Sequence, residues 1–156
     1  MRGVLFVCHA NTSRSVMAHA LLERMLAERG LAGRARVSSA GVSPHARDGM
    51  YASLDARLAL KEIGIVLAED TITSTDLKRH RELLAEADVV VTMTAEQKRL
   101  VAALADGDGR LVVTLRELAG ESGDIADPMG QGEETYRACR DEIARCLAKG
   151  FDRLLA

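Results

Sequence analysis

Cys8 and Arg14 stand six positions apart near the start of the chain, in the run Cys8-His9-Ala10-Asn11-Thr12-Ser13-Arg14-Ser15. A thiolate is a nucleophile for phosphorus, and a guanidinium fork matches two oxygens of a phosphoryl group. Small residues between a strand and a helix can turn their backbone N–H groups inward as an anion nest, and the helix adds its positive end. A cysteine held over such a nest favours the thiolate form. His9, Ala10, Asn11, Thr12, Ser13, Arg14 and Ser15 therefore form the candidate phosphate-binding set. Ser15 could donate a hydrogen bond to the sulfur, and Asn11 suits a left-handed backbone position. A lone cysteine at a strand end reads as a small core residue; the arginine and the polar run turn that reading toward catalysis. No glycine–lysine pair followed by serine or threonine succeeds the loop, which argues against a nucleoside triphosphatase.

Such a loop needs a strand before it and a helix after it. Val4–Val7, Val89–Val91 and Leu111–Val113 are continuously apolar, as parallel strands covered on both faces require. The corresponding strand predictions are Gly3–Val7, Asp88–Met93 and Leu111–Leu115, with a weaker one at Ala35–Ser39. Ser15–Arg29 carries Met17, Leu21 and Met25 at fourfold spacing and stops at Gly30. A second amphipathic stretch runs from Tyr51 to Ile63 before Gly64. Thr94 with Gln97, and Thr114 with Glu117, read as capping boxes. The segment Glu133–Leu155 puts Tyr136, Cys139, Ile143, Cys146 and Leu147 on one stripe. Alternating strands and helices predict an α/β fold: one domain over residues 1–156, a doubly wound sheet of about four parallel strands with helices on both faces, and the phosphate loop after strand 1. Ligands of such folds bind at the carboxyl ends of the strands, where Cys8 sits.

Composition narrows the partners. The 156 residues are 47% hydrophobic and 28% charged, with a formal net charge of -2. That balance gives no reason to expect nucleic acid or an anionic membrane surface. The absence of Trp, with two Tyr and two Phe, leaves little surface for base stacking. The apolar run near the start is too short for the core of a signal peptide, and no stretch approaches the ~20 residues of a membrane span. The three cysteines, Cys8, Cys139 and Cys146, are odd in number and match no zinc spacing. The expectation is a cytoplasmic monomer with reduced thiols, no metal and no cofactor.

The pattern at the end of the first strand resembles the signature V-C-x-G-N-x-C-R-S-P of the low-molecular-weight protein tyrosine phosphatases, here Val7-Cys8-His9-Ala10-Asn11-Thr12-Ser13-Arg14-Ser15-Val16. Ser39-Ala40-Gly41 and Asp127-Pro128 extend the resemblance over the chain. Ala10 replaces a glycine, a position that suits alanine only where φ is negative. Ser13 replaces a second cysteine that in relatives can trap the nucleophile, and Val16 replaces proline. The resemblance implies a cysteine-dependent phosphatase acting on a phosphorylated protein, with Cys8, Arg14 and Asp127 catalytic. Asp127 would protonate the leaving group and then activate water, with Asp124 as the alternative acid.

Thr12 and Met129 bear on substrate. Tyrosine-directed members carry a bulkier aliphatic residue at the first position and aromatic residues after D-P. The bacterial branch that is similar to protein arginine phosphatases carries Thr. A hydroxyl there could accept a hydrogen bond from a guanidinium, and a thioether is a poor stacking wall for a phenol. Phosphoarginine is the favoured substrate, with phosphotyrosine the alternative. An arsenate reductase and an inactive phosphoprotein-binding module are the readings from other classes. Seven helical residues separate Cys139 from Cys146 by ~10.5 Å, beyond the ~7 Å limit for a disulfide, which favours core packing over a redox relay. His9 is a candidate pocket-rim residue, His19 is read on the exposed side of its helix, and Lys78-Arg79-His80-Arg81 as a solvated helix face.

Overall fold

The first strand, β1 (Arg2–Cys8), is buried from Gly3 to Cys8, as an unbroken apolar run must be when helices cover both faces. In the computed structural model, which describes residues 1–105 and 110–156, β1 lies between two parallel neighbours. β2 (Ala35–Gly41) pairs on one side and β3 (Val89–Thr92) on the other; β4 (Leu111–Thr114) pairs with β3, giving the order β2-β1-β3-β4. On one face, Val4, Phe6, Val89 and Val91 pack with α1 (Arg14–Glu28), α2 (Leu54–Lys61), α5 (Leu115–Leu118) and α6 (Glu133–Leu155). On the other, Leu5, Val7 and Val90 meet Leu84 of α3 (Glu82–Glu86) and Val101 of α4 (Ala95–Ala105). The α/β architecture with four parallel strands and helices on both faces is the one expected. Among the described residues no helix is long and apolar enough to cross a membrane.

Both capping boxes form: Thr94 and Gln97 exchange backbone-to-side-chain bonds of 3.1 and 3.2 Å, and Thr114 and Glu117 bonds of 2.8 and 3.1 Å. Each starts a helix directly after a strand, which a polar N-terminal cap allows.

Three expectations need correction. The helix read from Tyr51 starts at Leu54 instead, because Ser53 is in extended backbone and its Oγ accepts from the Ala56 N–H. His19 is not exposed: its side chain is 14% accessible, and it bonds Ser39 on β2 and Glu23 one turn on. The basic cluster is not a helix face. Leu77–Arg79 is one 3-10 turn, Lys78 bonds Asp76 and the Ser43 carbonyl, and His80 bridges Asp48 and Glu82.

Cys139 and Cys146 are buried and free on the stripe of α6. Burial pushes the Cys139 thiol up to about 12 and raises that of Cys146, so both stay protonated at neutral pH. Both pack in the apolar cluster between α6 and the sheet, as core residues do.

Candidate active site

β1 ends at Cys8 and α1 begins at Arg14, so the intervening residues form a loop at the carboxyl edge of the sheet. Asn11 is the only non-glycine residue with positive φ among those described, at 62°. Two bonds hold it there: its Nδ2 donates to Ser15 Oγ at 2.7 Å, and its Oδ1 accepts the Thr75 N–H at 2.9 Å. Ala10 does not adopt positive φ, so alanine in place of glycine leaves the loop unstrained.

Two donors converge on the sulfur. Ser15 Oγ lies 3.0 Å from Cys8 Sγ, and the Asn11 N–H points to it at 3.3 Å. Both contacts hold the sulfur at the mouth of the loop, where α1 begins at Arg14. Ser13 turns its hydroxyl away from the nest, to Tyr136 Oη at 3.1 Å and Ser53 Oγ at 3.0 Å. Only its backbone is left to face an anion.

β2 supports the loop from beside it. The Val42 and Ser43 N–H groups donate to the His9 carbonyl at 3.1 and 3.0 Å. Gly41 leaves room for this approach: a Cβ there would lie 2.8 Å from the Ala10 carbonyl carbon and 2.9 Å from the His9 oxygen. Both are backbone atoms that cannot swing aside. Gly41→Ala is expected to cost about 1–3 kcal/mol of stability by overpacking and to lower kcat/KM by at least about tenfold, read by thermal melting and aryl phosphate turnover. Unchanged activity would mean that the loop tolerates displacement.

The D-P segment arrives from the far side of the sheet. The Ile125 N–H donates to the Met93 carbonyl at 2.9 Å, and the Ile125 carbonyl accepts from Arg14 Nη1 at 2.8 Å. Arg14 Nη2 then lies 3.7 Å from Asp127 Oδ2. The other Asp127 oxygen accepts the Met129 N–H at 3.0 Å. Asp124 is engaged elsewhere, accepting the Ala95 N–H at the start of α4.

These parts close around a pocket of about 140 Å³ lined by Cys8, His9, Ala10, Thr12, Ser13, Arg14, Asp127 and Met129. Three larger hollows, about 350 Å³ against α2 and α6, about 770 Å³ beside β2 and about 220 Å³ between the starts of β1 and β2 and α3, are lined by no cysteine. Among the described residues, the small pocket is where the candidate nucleophile Cys8, the loop after β1 and the candidate acid Asp127 meet. Asn11 and Ser15, also assigned to phosphate binding, lie behind it as supports of the sulfur. Sequence reasoning placed Tyr136 on the stripe of the last helix but assigned neither it nor Ser53 or Thr75 to the site. Ser53 carried a signal, a serine three residues before the alanine whose N–H it caps; Thr75 and Tyr136 carried none.

Residues 3–155 match the family model described as low molecular weight phosphotyrosine protein phosphatase. The chain belongs to this family. It is a cysteine-dependent protein phosphatase, a hydrolase, and the sheet with the phosphate loop after β1 is the family's fold. The protein-arginine-phosphatase of Geobacillus stearothermophilus is 39% identical over 152 residues, covering 97% of this chain and 95% of the relative. The solved structure of the YwlE arginine phosphatase from that organism superposes with a TM-score of 0.84 at 38% identity, over 99% of this chain and 93% of the other. A YwlE variant whose active-site serine is phosphorylated gives a TM-score of 0.84 at 35% identity, over 97% and 99%.

Proposed function

We propose that this phosphatase removes the phosphoryl group from phosphorylated arginine side chains of proteins. The observation that carries the reading is that Thr12 and Met129 line the same pocket as Cys8, Arg14 and Asp127. Among the described residues that line it, the pocket thus has a threonine hydroxyl and a flexible thioether, and no phenylalanine, tyrosine or tryptophan to stack on a phenol. The likeness to arginine phosphatases supports the same choice.

In the proposed mechanism Cys8 thiolate attacks phosphorus, and the loop N–H groups with Arg14 stabilise the equatorial oxygens. The P–N bond breaks as Asp127 gives its proton to the departing guanidinium nitrogen, leaving phosphocysteine and a free arginine side chain. Asp127, now a carboxylate, takes a proton from water. The resulting oxygen nucleophile attacks phosphorus, the S–P bond breaks, and inorganic phosphate leaves with the thiolate restored. The proton that Asp127 gives leaves with the arginine and is replaced from water, so the enzyme ends each cycle as it began. The same proposal takes residues 1–156 as one domain, since both apolar clusters share one sheet. A cytoplasmic location is part of it, supported by three free cysteines, which persist in a reducing compartment, and so is a monomeric chain.

The test compares matched phosphoarginine and phosphotyrosine peptides on the wild type and on Thr12→Ile. The wild type should prefer phosphoarginine. Loss of one hydrogen bond of ~1.4 kcal/mol should move the kcat/KM ratio toward phosphotyrosine by about tenfold. An unchanged ratio removes Thr12 from substrate selection, and a wild type that prefers phosphotyrosine overturns the substrate.

A further inference from the structure

The sheet has an open edge at β2, outermost in the order β2-β1-β3-β4. Among the described residues, its outer side is paired only by the bridge Gly41↔Asp76. In a parallel ladder each residue aims its N–H and C=O to one side, and the next residue aims them to the other. The Gly41 N–H points outward, donating to the Thr75 carbonyl at 2.8 Å. Ser39 and Val37, two and four residues earlier, therefore aim their backbone groups outward as well.

Beside them lies the hollow of about 770 Å³, with Thr71–Thr75 among its lining residues. Glu23, Asp48 and Glu82 line it, and no lysine or arginine does. His19 bonds Glu23 at 3.0 Å; His80 bridges Asp48 at 2.8 Å and Glu82 at 3.2 Å. The hydrogen bond from His19 lowers the Glu23 carboxyl, and the Asp76 N–H followed by His80 lowers that of Asp48. Natural sheets blunt an open edge with lysine, proline or a bulge. Val37-Ser38-Ser39-Ala40-Gly41 has no lysine or proline and keeps an unbroken register with β1.

We propose that the outer edge of β2 and this groove form a strand-addition site for an extended peptide segment rich in arginine or lysine. The segment continues the ladder through the backbone of Val37 and Ser39, and its cationic side chains reach Glu23, Asp48 and Glu82. The groove shares no lining residue with the phosphate pocket, so the proposal stands apart from the substrate assignment.

The probe is a fluorescein-labelled octapeptide of the repeat Arg-Arg-Val-Val, which sets arginines on both faces of an added strand, titrated with the full chain and read by fluorescence anisotropy. Saturable binding is expected, weaker by about tenfold or more when alternate residues are N-methylated or when glutamate replaces arginine. Val37→Pro removes one outward N–H and leaves the β1 ladder whole. It should abolish binding while phosphatase turnover persists. Should that variant fail to fold, hydrogen exchange on the wild type decides, with the Val37 and Ser39 amides slowing when the peptide is added. A flat titration, equal binding of the N-methylated peptide, retained binding by folded Val37→Pro, or unchanged exchange at both amides would overturn the proposal.

Discussion

Cys8→Ser should fold normally and lose turnover of every phosphorylated substrate, by at least ~10⁴-fold. The argument is local. The side chain is buried at 3% exposure, and serine is smaller, so nothing is overpacked. Ser15 Oγ and the Asn11 N–H, which now converge on sulfur, can hydrogen-bond an oxygen in the same place. What changes is nucleophilicity: an alkanol in this nest has no base beside it, whereas a thiolate needs none. Thermal melting should move little while steady-state kinetics show no sustained release of phosphate. Retained turnover of an aryl phosphate would remove Cys8 from the mechanism.

Asp127→Asn separates the acid role from the structural one. Asparagine can still accept the Met129 N–H through its amide oxygen, so the loop keeps its turn. It cannot supply or take a proton. General acid–base catalysis contributes ~10²–10⁴-fold, and kcat for a phosphoarginine peptide should fall within that range. An aryl phosphate with a good leaving group needs no proton at the bridging atom and should lose much less. Equal losses on both substrates would mean that Asp127 serves to orient Arg14, 3.7 Å away, and is not the acid.

Much of this was legible in the chain. Apolar runs without alternation marked β1 and β3 as covered on both faces, because two layers of helix leave no polar side to a strand; β4 has the same kind of run but is an edge strand that leaves Leu111 exposed. The loop was legible because cysteine, arginine and small residues between strand and helix have few other uses. The margins were not. β2 runs on to Gly41, beyond the expected end at Ser39, since Ala40 and Gly41 look like a turn until the loop is seen resting on them. His19 was read as exposed from helical spacing alone; its partner Ser39 lies 20 residues on, across a crossover that spacing does not record. Ser13 was assigned to phosphate by position, and its hydroxyl is turned to Tyr136, 123 residues away.

That separation has a consequence during synthesis. Arg14 is held by the carbonyl of Ile125, 111 residues later. At ~5–20 residues per second, the ribosome delivers the second partner roughly 6–22 s after the first. Until then Arg14 lacks the carbonyl that holds it and the carboxylate that faces it. The pocket that joins Cys8, Arg14 and Asp127 therefore closes only when nearly all of the chain has been made.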